Sequence, residues 1–83
     1  MTVPEWLVTR SGAIRNGLTA STRLIFLNGH PQYKLVATPA TGTFTCVVTQ
    51  TNNGRRLDDR KTYPNVEAAL TGGLQELRDK LGW

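Results

Sequence analysis

The chain has 83 residues and a mass of 9.2 kDa, which suits one small domain and excludes a two-domain enzyme with a separate cofactor module. Hydrophobic residues make up 39% and charged residues 19%, too apolar for a disordered tail and too polar for a membrane protein. Ten Lys and Arg against six Asp and Glu give a formal net charge of +4. We expect residues 1–83 to form a single domain of an intracellular, cytoplasmic protein. We expect a location inside the cell because the sequence has no apolar run of the ~18 residues needed to span a bilayer. Residues 1–6 also lack the pattern of a signal peptide.

The N-terminal segment, residues 1–20, has the weakest pattern in the chain. Residues 6–9 have the composition of a short extra strand. Residues 11–21 are interrupted by Gly and Ser and predict a loop.

Two consecutive strands are predicted next. Residues 23–27 form an apolar run that ends at Asn28-Gly29, a pair typical of a two-residue hairpin turn because both turn positions need positive φ. Residues 33–38 predict the second strand, and residues 39–42, which read Pro-Ala-Thr-Gly, predict a short turn after it.

A third strand is predicted at residues 43–50, where the chain alternates with a period of two. One face presents Phe44, Cys46 and Val48, and the other is rich in threonine. This alternation indicates a strand that is buried on one face and exposed to solvent on the other.

A fourth strand is predicted at residues 55–63, after a second turn signal at Asn53-Gly54. This segment carries four Lys or Arg and two Asp, so we expect an exposed edge strand whose charges discourage pairing between sheets.

The C-terminal segment predicts an amphipathic helix of about 17 residues from a stripe of apolar positions spaced by three and four: Val66, Leu70, Leu74, Leu77 and Leu81. Pro64 and Asn65 suit the start of a helix, and Gly82 suits the left-handed residue that ends one. The pair Gly72-Gly73 in its middle predicts a close approach between the helix and a sheet.

These elements predict an α+β fold, a four-stranded antiparallel β-meander with one C-terminal amphipathic helix packed on one face. Because an antiparallel sheet can expose one face to water, we expect the second face to stay open. That face would be polar and mildly basic, with the following side chains: Thr43, Thr45, Val47, Thr49, Lys34, Val36, Arg56, Asp58 and Arg60.

The residue types that carry out catalysis are sparse. Cys46 is the only cysteine and lies on the predicted core face, and His30, the only histidine, follows a turn and should be exposed. Asp58 and Asp59 would point to opposite faces of a strand, so they predict surface ion partners rather than a catalytic pair. We therefore expect no enzyme activity, no cofactor and no metal site.

The favoured function is a small non-enzymatic module that binds single-stranded nucleic acid on the open face. The residues predicted to contact phosphates are Lys34, Arg55, Arg56, Arg60 and Lys61, and those predicted to stack on bases are Tyr33 and Trp6. If Arg56, Asp58 and Arg60 share a strand face, they lie about 7 Å apart. The alternative is a protein-interaction subunit or homodimer of a larger assembly, favoured by the thin core and an unpaired strand edge.

Overall fold

The computed structural model describes residues 2–58 and 60–83. Within these ranges five strands form one antiparallel sheet in the order β1-β2-β3-β4-β5, so the prediction of an α+β meander is confirmed, with one strand more than expected. The elements in chain order are α1 (Glu5–Val8), β1 (Gly12–Asn16), β2 (Thr22–Leu27), β3 (His30–Ala40), β4 (Thr43–Gln50), β5 (Thr62–Tyr63) and α2 (Val66–Leu81).

The two central hairpins have tight turns. Asn28 and Gly29 link β2 to β3 with φ angles of 52° and 79°, the positive values that the Asn-Gly pair predicts. Between β3 and β4 the turn is only Thr41-Gly42, shorter than the predicted four residues, because β3 continues through Pro39 to Ala40. Gly42 has a φ of 72°, which explains a glycine at this position.

The core lies between the sheet and α2, as predicted. β3 and β4 contribute buried side chains from alternate positions, α2 contributes its apolar stripe, and α1 and β2 contribute one residue each. The buried hydrophobic residues are Leu7, Ile25, Tyr33, Leu35, Ala37, Cys46, Val48, Ala69, Leu70, Leu74 and Leu77. Gly72 and Gly73 face Tyr63 and Cys46, and an added Cβ at either position would lie under 2.5 Å from the nearest of their atoms. The predicted close approach of helix to sheet is thus confirmed.

The N-terminal segment differs from the prediction. Residues 6–9 do not form a strand; the backbone N–H groups of Leu7 and Val8 donate to the Pro4 carbonyl, which begins the short helix α1. Leu7 is fully buried and packs on Gly12, where a Cβ would lie 2.4 Å from its Cγ. The extra strand is β1, inside the predicted loop, and it pairs with β2 along its whole length.

The predicted fourth strand at 55–63 forms only at its two ends. Arg56 makes an isolated bridge with Thr49 of β4, and β5 pairs with Phe44 and Thr45. Between them Arg60 adopts a φ of 59°, which no strand residue adopts, so the strand prediction is wrong for the middle of this segment.

The helix α2 begins and ends where the sequence predicts. The Asn65 side chain caps its first turn by accepting a 2.8 Å hydrogen bond from the Ala68 N–H. Gly82 ends it in the left-handed conformation, with a φ of 73°.

Asn65→Ala should lower the free energy of unfolding by about 1 kcal/mol, because it leaves the Ala68 N–H without its capping acceptor. Urea denaturation followed by far-UV circular dichroism measures the change. Asn65→Ser, which keeps a capping oxygen, is the control and should stay within about 0.5 kcal/mol of the parent protein. Equal losses in the two variants would contradict a capping role.

Candidate nucleic-acid interface

The sheet face opposite α2 is open in the structure. In β3 the side chains of Tyr33, Leu35 and Ala37 are buried under α2, and the alternate residues Lys34 and Val36 point to the other side. No helix of the described ranges packs on that side. One face of the sheet is therefore covered and the other is available to a ligand.

The open face carries a line of cations that crosses the strands. The register pairs Arg15 with Leu24, Leu24 with Lys34, Lys34 with Thr49, and Thr49 with Arg56. We call these five residues the basic row. Since neighbouring strands lie about 4.8 Å apart, the Cα atoms of successive cations are separated by about 10 Å.

The remaining positions of the open face include apolar side chains, and Val36 and Val47 of the predicted set are among them. The row next to the basic row pairs Thr22 with Val36 and Val36 with Val47, so apolar side chains occupy the centre of the face. Beyond it, Thr45 pairs with Thr38 and Thr62, which gives a row of threonines at the far end. Along the strands, the side chains of the open face thus change from a row with basic residues, through a row with apolar residues, to a row of threonines.

Phe26 is an aromatic residue of the open face that the sequence analysis did not identify. Its ring lies beneath Arg15, whose Cζ is 5.3 Å from the ring centroid, a cation–π geometry that holds the arginine at the basic row. Strict alternation from the buried Ile25 would have placed Phe26 here. The run of four apolar residues at 24–27 concealed that alternation, because neither face of the strand is polar.

Asp58 organises the segment that brings Arg56 to the row. Its Oδ1 accepts hydrogen bonds from the Val48 N–H at 3.1 Å and from the Arg56 Nε at 2.7 Å, and its Oδ2 accepts from the Arg60 N–H at 3.2 Å. The carboxylate thereby accepts the hydrogen bond from β4 that a backbone carbonyl of a neighbouring strand would accept. The Asp58 side chain is fully buried, whereas that of Arg56 is 41% exposed.

The pKa of Asp58 reflects these contacts. Burial alone would raise it, but hydrogen bonds from Arg56 and from the backbone of Val48, together with the positive charge of Arg56, outweigh burial and lower the pKa. Asp58 is therefore a charged structural group at neutral pH. It adds no exposed negative charge to the open face.

The remaining predicted phosphate contacts lie apart from the basic row. Asp58 turns inward and Arg60 is in the left-handed region, so the expectation that these two share a strand face with Arg56 is wrong. Arg55 pairs through its carbonyl with the Gln50 N–H and lies outside the strands. Arg55, Arg60 and Lys61 are exposed on the segment between β4 and β5.

Neither aromatic residue predicted to stack on bases faces the open side. Tyr33 is 7% exposed on the side of α2, and burial raises its pKa. Trp6 packs on Trp83 with a centroid distance of 5.9 Å, and Arg10 and Arg78 lie over the two rings. Both residues stabilise the covered side of the sheet, so Phe26 replaces them as the aromatic candidate.

The candidate catalytic residues have structural surroundings. Cys46 is a core residue, as predicted; burial, followed by the negative charges of Glu76 and Asp58, raises its pKa to about 12. His30 is exposed, as predicted. In residues 2–58 and 60–83 no three His, Cys, Asp or Glu side chains lie together in a group that could hold a metal ion.

Comparison with protein families, with curated proteins and with solved structures finds no match for this chain. Among the described helices, none has the length and apolar character needed to cross a membrane.

Proposed function

We propose that the protein is a non-enzymatic module that binds single-stranded nucleic acid across the open face of its sheet. The basic row carries this proposal, because it aligns Arg15, Lys34 and Arg56 on the one face that α2 leaves uncovered. Lysine and arginine contacts to phosphates supply most of the affinity of such binding, and an aromatic side chain beside them can stack on a base. Phe26 has that position next to Arg15.

The charge distribution supports a polyanion as the ligand. Arg15 and Lys34 are exposed and make no ion pair with any described residue. The one described carboxylate at this end of the face, Asp58, is buried beneath Arg56. A phosphate chain laid along the row would thus meet positive charge at each end and in the middle.

The affinity for a single-stranded oligonucleotide should fall about tenfold between ~50 and ~200 mM salt, since release of counterions from two to three phosphates gives a slope of about −1.4 to −2.1. Fluorescence anisotropy with a labelled oligothymidylate measures this. The double variant Arg15→Gln with Lys34→Gln should bind at least about tenfold more weakly at the lower salt and lower the slope by about 1.4.

The matched control is the double variant Arg55→Gln with Lys61→Gln, which removes the same two charges from exposed positions outside the basic row. It should bind within about threefold of the parent protein, because neither residue belongs to the row, and the charge of Arg55, next to Arg56 in the chain, acts there only through the field that salt screens. Equal losses in the two double variants would reject the basic row as the binding surface. Absence of binding by the parent protein at ~50 mM salt would reject the function.

The alternative, a protein-interaction subunit or homodimer, draws support from β1. This strand is at the edge of the sheet and pairs only with β2, so its outer backbone groups are open to another chain. Failure of the parent protein to bind any oligonucleotide would favour this alternative.

A further inference from the structure

A groove of about 390 Å³ lies on the open face and includes Leu24 and Lys34 of the basic row. Its walls come from the β1–β2 connection and from the outward side chains of β2 and β3, and its lining residues are Gly17, Leu18, Thr19, Thr22, Leu24, Lys34 and Val36. Leu18 is fully exposed, with a relative exposure of 103%. Because Leu18 lines the groove together with Leu24 and Val36, a ligand bound there would remove these apolar side chains from water.

Hydrogen bonds connect the residues of the loop wall of this groove. The Gly17 N–H donates to the Thr22 carbonyl at 2.9 Å, and the Thr22 N–H donates to the Thr19 carbonyl at 3.1 Å. The hydroxyl groups of Thr19 and Thr22 hydrogen-bond each other at 2.8 Å. Gly17 permits this fold, because a Cβ there would lie 2.3 Å from Cγ2 of Thr22.

We propose that the groove holds one unpaired base of the bound strand, with Lys34 holding an adjacent phosphate at its rim. This inference rests on the proposed function and specifies how the ligand sits on the open face. Leu18, Leu24 and Val36 supply apolar walls for the base, and the positive charge of Lys34 complements the backbone to which the base is attached. The volume is at the small end of the ~300–1,000 Å³ range of small-molecule sites and is large enough for one base.

The groove favours single strands and tolerates any base. A duplex keeps its bases stacked inside, where a side chain such as Leu18 cannot cover them, whereas a single strand can present one base without breaking pairs. The two wall hydroxyls share one hydrogen bond, so at most one O–H donor of the pair remains to distinguish one base edge from another. Every base has the flat apolar face that such walls accept.

The test compares two labelled oligonucleotides of equal length and phosphate number, an oligothymidylate and the same chain with abasic sites. The parent protein should lose about fivefold in affinity on the abasic chain. Leu18→Ser should bind the oligothymidylate more weakly and lose less affinity than the parent protein does when the bases are removed, the remaining loss being the base contact of Phe26. Val8→Ser is the matched control, since Val8 is 57% exposed on α1, and should behave as the parent protein does.

The outcomes separate this inference from the proposed function. If the parent protein binds both chains equally well and with the same salt dependence, the base site is rejected and phosphate binding on the basic row stands. If Leu18→Ser and Val8→Ser lose the same affinity, the groove is also rejected. If no oligonucleotide binds, the proposed function fails and the base site fails with it.

Discussion

Gly73→Ala should lower the free energy of unfolding by about 2 kcal/mol, although alanine is the better helix former by about 1 kcal/mol. An added Cβ would lie 2.1 Å from Sγ and 2.7 Å from Cβ of Cys46. The two contacts differ in kind, because a substitution can remove the sulfur, whereas the Cβ of a central strand cannot move without moving the sheet. Overpacking of this kind commonly costs about 1–3 kcal/mol, and here it should lie at or above the top of that range.

A double-mutant cycle with Cys46→Ala tests the cause. Cys46→Ala alone should cost about 1 kcal/mol, because it removes a buried sulfur from the core. In the double variant, the methyl group that Gly73→Ala adds takes part of the space that the sulfur leaves. The loss of unfolding free energy in the double variant should therefore be smaller than the sum of the two single losses by at least about 1 kcal/mol. Urea denaturation of the four proteins measures the coupling.

Thr71→Ala is the control for helix propensity, because Thr71 is exposed on α2. It should raise the free energy of unfolding by a few tenths of a kcal/mol. A similar gain from Gly73→Ala would contradict the close packing of α2 on Cys46.

The central part of the fold was predictable because its patterns are local. The stripe of apolar residues defines α2, and the alternation about Cys46 defines β4 to the residue. The pair Asn28-Gly29 predicts its turn because few other residue pairs adopt two positive φ angles. In each case the information lies within a few residues of the element that it specifies.

The strand β1 could not be predicted on the same basis. Its sequence, Gly-Ala-Ile-Arg-Asn, has one β-branched residue, and its place in the sheet depends on two partners outside the strand. Ile14 pairs with the buried Ile25, and Gly12 leaves room for Leu7. Because β1 was missed, Arg15 was missed as a member of the open face.

The candidate site was predicted in part. Lys34 and Arg56 were assigned to the open face by alternation, and the structure places both there. The same alternation puts Tyr33 on the covered side, so that residue could have been left out from the sequence alone. The surroundings of Arg60 could not have been foreseen, because they depend on the Asp58 carboxylate turning inward to the backbone of β4.

Asp58→Ala should lower the free energy of unfolding by about 3 kcal/mol at neutral pH. It leaves the N–H of Val48, a residue with no solvent exposure, without an acceptor and removes a charge-assisted hydrogen bond from Arg56. Asp58→Asn keeps an acceptor oxygen and should lose about half as much. Asp79→Asn, at an exposed carboxylate on α2, is the control and should change stability by less than about 0.5 kcal/mol.

The loss should depend on pH in a direction set by the lowered pKa of Asp58. A carboxyl group whose pKa is lower in the folded than in the unfolded state contributes its full stability above the unfolded value of about 3.9. That contribution disappears as the pH falls through the folded value. The difference in unfolding free energy between the parent protein and Asp58→Asn should therefore be constant above about pH 5 and shrink below about pH 4. A difference that stays the same down to pH ~2.5 would show that Asp58 acts through its shape and not its charge.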